Sequence, residues 1–227
     1  MAREIWFATG NSDKKRELSG LLAPLGITVK IPGDGGIEGF DPEETGGSFL
    51  ENSLLKARAL RSLLLSRGIF EPVIADDSGL CVDALGGRPG VYSARYAGRH
   101  SGRYTGSGRY TGSGDRGPGA RDKKLDAAER NRLLLEELGD RPDRGARFVC
   151  AMVLLFDENR FVCVQETLEG ELVREEGRGT GGFGYDPILY IPELGRTAAE
   201  LGEEEKNRIS HRGKAGRAIV KLLTCQS

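Results

Sequence analysis

Two adjacent carboxylates, Asp76 and Asp77, follow a short apolar run, Val73-Ile74-Ala75. A buried-type strand that opens directly into two acids indicates a polar cleft at the end of that strand. A second acidic pair, Glu43-Glu44, stands just before a long helical pattern. Carboxylates from two separate loops can share one Mg²⁺ with substrate phosphates, because this ion prefers oxygen ligands and takes few of them from the protein. The alternative for Glu43-Glu44 is a solvated charged surface.

A turn that suits phosphate lies near the start of the chain. Thr9-Gly10-Asn11 follows the apolar run Ile5-Trp6-Phe7-Ala8 and precedes a helical pattern that contains Lys14. Backbone N–H groups at the start of a helix point at one spot and carry partial positive charge. Gly10 allows a phosphate to approach the backbone, and Lys14 supplies a point charge. The alternative is an ordinary strand-to-helix turn in which Asn11 is only a cap.

A glycine-rich loop spans Gly177 to Asp186, and residues 179–184 match the pattern G-x-G-x-x-G. The dinucleotide-binding interpretation is excluded, because it needs a helix after the glycines, whereas Tyr185-Asp186-Pro187 and a strand follow. The glycines instead favour a backbone that passes close to a ligand, with Phe183 as a flat stacking surface. The alternative is a hairpin loop with Phe183 in the core. No Walker A sequence occurs, which excludes P-loop chemistry.

Lys206 and Ser210-His211-Arg212 form a polar group between two predicted helices. Taken alone, such a linker is typical of a helix cap with surface charge. A hydrolytic triad is not expected, because His211 has no evident Ser or Cys nucleophile and the other histidine is His100.

The elements that must position these residues alternate early in the chain. Period-2 and period-3.6 patterns, with their caps and turns, predict an α/β protein in which helices flank a mixed sheet. The predicted strands are 5–8, 27–31, 73–75, 80–85, 148–156, 161–173 and 188–191; the predicted helices are 14–22, 48–67, 124–138, one that starts at the capping-box sequence Thr197 to Glu200, and 214–223. Asp157-Glu158-Asn159 predicts a hairpin turn between two of the strands.

Composition narrows the class of protein. The 227 residues predict one domain, 1–227, with two small lobes as a possibility. The formal net charge of −1 argues against binding nucleic acid by bulk charge, so a phosphate site must be local. No apolar stretch approaches the roughly 18 residues of a membrane span, and no C-x-x-C pair occurs. A reducing cytoplasm is the expected location.

Residues 98–121 form a segment rich in Gly, Arg, Tyr and Ser, and they contain a duplicated hexapeptide, Ser-Gly-Arg-Tyr-Thr-Gly, at 101–106 and 107–112. Such a composition buries too little apolar surface to offset its ordering entropy, which predicts a mobile surface loop. Two interpretations stay open: a harmless expansion, or an Arg/Tyr-rich lid or contact surface.

Taken in order, these motifs resemble the inosine/xanthosine triphosphate pyrophosphatase family, and the resemblance covers nearly the whole chain outside 98–121. Each motif is weak alone, but six in the same order are specific. The motifs are Thr9-Gly10-Asn11-x-x-Lys14, Glu44-Thr45-Gly46 with Glu51-Asn52-Ser53-x-x-Lys56-Ala57, Ala75-Asp76-Asp77-Ser78-Gly79-Leu80, Leu85 to Arg95, Gly182-Phe183-Gly184-Tyr185-Asp186-Pro187 and Glu205-Lys206-Asn207-x-x-Ser210-His211-Arg212.

The resemblance implies an elongated mixed sheet flanked by helices, two lobes with a central active-site cleft, a homodimer and a requirement for Mg²⁺. It implies hydrolysis of ITP, dITP and XTP to the nucleoside monophosphate and pyrophosphate, which keeps deaminated purines out of DNA and RNA. The resemblance also assigns roles to residues. Asp77 and Glu44 would bind the metal, Asp77 would accept a proton, and Ser78 would contact the substrate. The triphosphate would be bound by Thr9, Gly10, Asn11, Lys14 and Lys56, and the base by Phe183, Gly184, Tyr185, Asp186, Lys206, His211 and Arg212.

Several points stay open at this stage. Donors from His211 or Arg212 suit a 6-oxo oxygen, but guanine also carries one, and the sequence does not show how guanine is rejected. The choice between Glu43 and Glu44 as metal ligand, the preferred base and sugar, and the dimer contacts are equally undecided. Two other classes of function are a pyrophosphatase for modified pyrimidine nucleotides and a nucleotide sensor without turnover.

Overall fold

The computed structural model describes residues 4–96, 103–104, 110–111, 125–175, 179 and 181–225. Its strands are β1 (Glu4–Phe7), β2 (Thr28–Lys30), β3 (Val73–Val82), β4 (Arg103–Tyr104), β5 (Tyr110–Thr111), β6 (Gly145–Leu155), β7 (Phe161–Leu172), β8 (Leu189–Ile191) and β9 (Arg196–Thr197). Its helices are α1 (Ser12–Leu22), α2 (Phe49–Leu65), α3 (Ala127–Leu138), α4 (Glu203–Ile209) and α5 (His211–Cys225).

Seven strands form one mixed sheet in the order β2-β1-β3-β6-β7-β8-β9. The pairs β1–β2 and β1–β3 are parallel, whereas β7–β8 and β8–β9 are antiparallel. The predicted hairpin is confirmed, since β6 and β7 are neighbours joined by a short turn in which Phe156 N donates to Arg160 O at 3.0 Å. The α/β class with a mixed sheet and flanking helices is therefore correct.

The chain divides into two compact units. Unit 1 comprises Met1–Ser78, Val149–Thr167 and Asn207–Ser227, and unit 2 comprises Gly79–Phe148 and Leu168–Lys206. The cleft expected between two lobes stays a prediction.

Unit 1 has a hydrophobic core on each face of its sheet. Alternate side chains of a strand point to opposite faces, so Ile5 and Phe7 of β1 join one core and Trp6 joins the other. The first core packs against α1 and α5, through residues such as Leu18 and Ile219. The second packs against α2, whose Ala57, Leu60 and Leu64 are fully buried. Both faces are thus covered by helices, as parallel strands require.

The strand order of unit 1 reverses beside β1. From β1 the chain passes through α1 to β2 on one side, and then through α2 to β3 on the other side. Such a reversal leaves a crevice at the carboxyl ends of the two central strands, where ligands of open α/β sheets bind. The turn Thr9-Gly10-Asn11 follows β1 at this end, and Asp76 lies two residues beyond Ile74, the last residue paired with β1. Topology therefore brings two of the predicted motifs to the same edge.

One strand prediction was wrong in a way that matters for the site. The expected short strand 73–75, the acidic loop after it and the strand 80–85 are a single strand, β3, which ends at Val82. Asp76 and Asp77 therefore lie within a strand and are 1% and 7% exposed. Two acidic residues after an apolar run predict the end of a strand. Here the strand continues, because Asp76 and Asp77 each have ionic or hydrogen-bonding partners that offset the free-energy cost of burial.

The C-terminal helices also differ from the prediction. Lys206 lies within α4, and α5 begins at His211, so His211 and Arg212 form the first turn of a helix and are not part of a linker. The capping box at Thr197 is present, but it starts only a short 3-10 turn, Ala198–Glu200.

The segment 98–121 falls almost wholly outside the described residues, and so does the expectation of a mobile loop there. Within it, the backbones of Arg103–Tyr104 and Tyr110–Thr111, one from each copy of the hexapeptide, pair in antiparallel fashion as β4 and β5. None of the helices in the described part of the chain is long and apolar enough to cross a membrane.

Candidate active site

Asp76 is a fully buried carboxylate surrounded by cations. Its Oδ1 accepts a hydrogen bond from Lys14 Nζ at 2.8 Å, and its Oδ2 accepts one from Arg212 Nε at 3.1 Å. Burial alone would raise the pKa of Asp76, but Lys14 and Arg212 outweigh it and hold that pKa far below the usual range. Asp76 is therefore a permanent anion, and it joins α1, β3 and α5.

Asp77 faces the opposite side of the sheet, toward α2. Its Oδ1 is 3.2 Å from Lys56 Nζ, and the same ammonium is 3.0 Å from Glu44 Oε1. Burial raises the pKa of Asp77; Lys56 opposes this and Glu44 adds to it, and the net shift is upward. Burial would likewise lower the pKa of Lys56, but the surrounding carboxylates raise it. Glu44, Lys56 and Asp77 thus form one cluster of charge around a buried ammonium.

The structure separates the two acids of the Glu43-Glu44 pair. Glu44 is half-buried and pairs with Lys56, whereas Glu43 is exposed. Glu44 is therefore the member of the pair that joins the cluster, and its choice over Glu43 as metal ligand stays a prediction.

The turn after β1 is arranged by hydrogen bonds of its own. Asn11 caps α1, because its Oδ1 accepts from Asp13 N at 2.8 Å and Lys14 N at 3.2 Å. Thr9 Oγ1 accepts from Asn11 N at 3.1 Å. A Cβ at Gly10 would have no described atom within 4 Å, so packing within the protein does not require a glycine there. An open face at a helix N-terminus is consistent with the close approach of an anion.

Two buried polar residues of α2 were missed as site residues by the sequence reasoning. Asn52 Nδ2 donates to Asp77 Oδ2 at 3.0 Å, and Ser53 Oγ donates to Ala75 O at 2.9 Å. Both side chains are 0% exposed. A signal existed, because Asn52 and Lys56 are four residues apart and therefore share a helix face with each other.

Arg212 is buried in unit 1, and three of its nitrogens have partners. Nε donates to Asp76, Nη1 to Glu17 Oε2 at 2.9 Å, and Nη2 to Ser78 Oγ at 3.0 Å. The charges of Asp76 and Glu17 raise the pKa of Arg212 although burial would lower it, so the guanidinium is always charged. His211, the first residue of α5, is 9% exposed.

In unit 2, Asp186 organises the glycine-rich loop. Its Oδ2 accepts from the backbone N of Phe183 and from Lys206 Nζ, each at 2.6 Å. Gly182 has a φ of +75°, and a Cβ there would lie 2.3 Å from Asp186 Oδ2, so only glycine fits. Asp186 is 3% exposed, and it holds the loop through its hydrogen bond from the backbone of Phe183.

Phe183 and Tyr185 have different surroundings in the same loop. The Phe183 side chain is 43% exposed, and Lys206 Nζ lies 4.8 Å from its ring centroid. Tyr185 is buried, and its hydroxyl donates to Ser93 O at 2.8 Å. Asn131 of α3 donates to Gly184 O at 3.1 Å. The alternative in which Phe183 lies in the core is excluded, because 43% of the residue is exposed.

Each unit therefore gathers its own subset of the predicted residues. Unit 1 brings together the phosphate-type turn, the acidic pair and the cations; the members with described contacts are Thr9, Asn11, Lys14, Glu44, Lys56, Asp76, Asp77, Ser78 and Arg212. Unit 2 brings together Phe183, Gly184, Asp186 and Lys206, and Tyr185 anchors their loop. Carboxylates and lysines beside the switch point of an open α/β sheet are typical of the class of proteins that bind phosphorylated ligands.

Comparison with known proteins narrows that class. Residues 5–222 match the Ham1 family, and the chain belongs to it. It is 46% identical to the dITP/XTP pyrophosphatase of Treponema denticola over 97% of this chain and 98% of that protein. It is 43% identical to the dITP/XTP pyrophosphatase of Thermus thermophilus over 96% and 90%. The solved HAM1 protein from Coxiella burnetii superposes with a TM-score of 0.79 at 39% identity, covering 99% of each chain.

Proposed function

We propose that this chain hydrolyses ITP, dITP and XTP between the α- and β-phosphates, giving the nucleoside monophosphate and pyrophosphate. The observation that carries the proposal is the cluster of Lys56, Glu44 and Asp77 together with the ion pair of Lys14 and Asp76. Both aspartates lie within β3, just beyond the residues of β3 that pair with the end of β1. Relatives with the name dITP/XTP pyrophosphatase, at 42–46% identity over nearly the whole chain, support the choice of substrate.

The residues of this cluster fit a bound Mg²⁺. Glu44 and Asp77 both direct an oxygen at one cation, the ammonium of Lys56, so their charges already converge. Two carboxylates with substrate phosphates are a common ligand set for Mg²⁺, which retains several waters. When bound, the ion would neutralise charge on the phosphates and acidify a water.

The chain's own residues supply the rest of the reaction. Asp77 would orient a water and accept its proton, as the resemblance assigns. Lys14 and Lys56 would neutralise charge that develops on the phosphates, and Ser78 would contact the substrate, as the resemblance assigns. Thr9, Gly10 and Asn11 would offer backbone donors to the triphosphate. A covalent intermediate is not needed.

Recognition of the base is assigned to the residues around Phe183. The exposed ring would stack on a purine. The resemblance assigns further contacts with the base to Gly184, Tyr185, Asp186, Lys206, His211 and Arg212. A donor that meets a 6-oxo oxygen is satisfied, whereas a 6-amino group leaves it unpaired. One buried unpaired donor costs about 1–3 kcal/mol, which corresponds to about tenfold to a hundredfold in discrimination.

A panel of nucleotides with Mg²⁺, read out as pyrophosphate release, tests the proposal. ITP, dITP and XTP should each exceed ATP in kcat/KM by about tenfold to a hundredfold. Preferential cleavage of dTTP would support a pyrimidine enzyme instead, and binding without turnover would support a sensor. Omission of Mg²⁺ should abolish release of pyrophosphate.

The role of Asp77 is tested by Asp77→Asn. The variant should lose about 10²–10⁴-fold in kcat, because the proton acceptor is gone, while it still binds ITP. Binding is measured by calorimetry and turnover by pyrophosphate release. Glu43→Gln is the control, since it also removes one acidic charge but from an exposed side chain. Activity of Asp77→Asn equal to that of the control would refute the mechanism.

We expect a homodimer that acts in the cytoplasm, where deaminated nucleotides arise, and that binds neither nucleic acid nor membrane. The net charge of −1 supports the absence of a general nucleic-acid surface.

A further inference from the structure

We propose that Asn52 is a positioning residue that holds the two carboxylates of the metal site, Asp77 directly and Glu44 through Gly46, in one fixed arrangement. The inference rests on the proposed function, because that function makes Glu44 and Asp77 metal ligands. Asn52 itself would contact neither substrate nor metal.

The amide of Asn52 joins two separate parts of the site. Its Nδ2 donates to Asp77 Oδ2 at 3.0 Å, and its Oδ1 accepts from the backbone N of Gly46 at 2.8 Å. The side chain is 0% exposed, so water does not compete for these bonds. A single planar group therefore links β3 to the segment that carries Glu44.

The two carboxylate oxygens of Asp77 have different hydrogen-bond partners. Oδ2 is held by Asn52, and Oδ1 is on Lys56, which also holds Glu44. A carboxylate with a hydrogen bond to each oxygen cannot rotate without losing one of them. Asn52 thus keeps Oδ1 of Asp77 directed toward Glu44. Hydrogen-bond partners of metal ligands commonly fix the orientation of those ligands in this way.

The bond to Gly46 depends on close approach of the backbone. A Cβ at position 46 would lie 2.7 Å from Asn52 Oδ1 and 2.9 Å from Asn52 N, so a side chain there would push the segment away. At the neighbouring Gly47 a Cβ would make only an ordinary contact, 3.5 Å from Glu51 Oε2. Of these two glycines, only Gly46 has no room for a Cβ. Gly46 is also the one that contacts Asn52, and it lies two residues from Glu44.

Asn52→Ala tests the inference, with Ser53→Ala as its matched control. Ser53 is the next residue, is equally buried, and also donates one hydrogen bond to β3, but to the carbonyl of Ala75. Asn52→Ala should weaken binding of Mn²⁺, followed by electron paramagnetic resonance without substrate, by about 10–100-fold. It should raise the Mg²⁺ concentration for half-maximal activity and lower kcat by a similar factor, with KM for ITP at saturating Mg²⁺ within threefold. Ser53→Ala should lower the urea midpoint but leave Mn²⁺ affinity within twofold.

Gly46→Ala provides a second variant that keeps the bond between Asn52 and Asp77, so it serves if Asn52→Ala fails to fold. It should also weaken Mn²⁺ binding, whereas Gly47→Ala should not. Equal Mn²⁺ affinities for each variant and its control would reduce Asn52 to a structural residue and overturn the inference, as would a wild-type chain that binds no Mn²⁺. Wild-type protein that binds Mn²⁺ but does not cleave ITP would overturn the proposed function alone, and the Mn²⁺ affinities would still decide the role of Asn52.

Discussion

At the scale of single residues, Asp76 and Asp77 are chemical neighbours in opposite surroundings. Asp76 meets Lys14 and Arg212, which lower its pKa, whereas burial and the charge of Glu44 raise the pKa of Asp77 against the effect of Lys56. Two carboxylates whose pKa values are pushed apart by their environments can take different tasks. Asp76 is suited to hold cations in place, and Asp77 is suited to exchange a proton or bind a metal.

Asp76→Asn should be strongly destabilising, because it leaves the charges of Lys14 and Arg212 without their buried anion. Breaking a buried ion pair by removing one partner costs about 3–5 kcal/mol in the free energy of unfolding. Urea denaturation followed by circular dichroism measures this change.

Glu136→Gln is the control for that experiment. It breaks the ion pair of Glu136 with Arg132, at 2.5 Å but with both side chains more than half exposed. Exposed pairs of this kind contribute about 0.3–0.5 kcal/mol. Equal losses from the two substitutions would show that the Asp76 cluster contributes no more than a surface pair.

At the scale of elements, three helices deliver the unit 1 site, and two of them start at a capping side chain. Asn11 caps α1, and Ser48 caps α2 through its bond from Glu51 N at 3.2 Å. α5 begins directly at His211, after the short helix α4. The position of Arg212 therefore depends on how tightly α4 and α5 meet.

Gly213→Ala should disturb that junction. A Cβ at position 213 would lie 1.9 Å from the backbone oxygen of Asn207, which cannot move aside as a side chain can. Overpacking costs about 1–3 kcal/mol, and we expect a loss of this size together with reduced turnover of ITP, because Arg212 precedes the shifted residue. Thermal unfolding and pyrophosphate release measure the two effects.

Gly216→Ala is the control on the same helix. A Cβ there would meet Leu21 Cδ1 at 2.5 Å, the far end of a flexible side chain. The gain in helix propensity, about 1 kcal/mol for alanine over glycine, should offset much of that clash. If both variants lost stability equally, the backbone contact to Asn207 would not be the cause.

At the scale of the whole molecule, each of the two units carries its own part of the predicted chemistry. Unit 1 contains the topological reversal and its cluster of charges, and unit 2 carries the loop of Phe183. This division matches the two tasks of the proposed function, which are handling the phosphates and choosing the base.

The expected homodimer is a prediction at this scale. The chain mass is 24.6 kDa, so sedimentation equilibrium at micromolar concentration should give about twice that value. A concentration series down to the nanomolar range would distinguish a stable dimer from weak association. A mass of one chain throughout the series would contradict the prediction.

Much of the fold was predictable because local patterns decide it. The apolar run of β1, the spacing of leucines in α1 and the length of α2 are properties of neighbouring residues, and these three elements fell within a few residues of expectation. The motifs Thr9-Gly10-Asn11 and Gly182 to Asp186 also lie in turns, as their glycines indicate. The spacing of Asn52 and Lys56 was a signal in the sequence, but the two hydrogen-bond partners of Asn52 became known only from the structure.

What the sequence determined by itself was the set of chemical groups, their order and the family to which they belong. Only the tertiary structure decided that β3 continues through Asp76 and Asp77. Side chains alternate along a strand, so this continuity sends Asp76 to the face of α1 and α5 and Asp77 to the face of α2. The partners of Asp76 come from far along the chain, 62 residues for Lys14 and 136 for Arg212. No local pattern carries that information, because a shift of one residue in the strand would exchange the two faces.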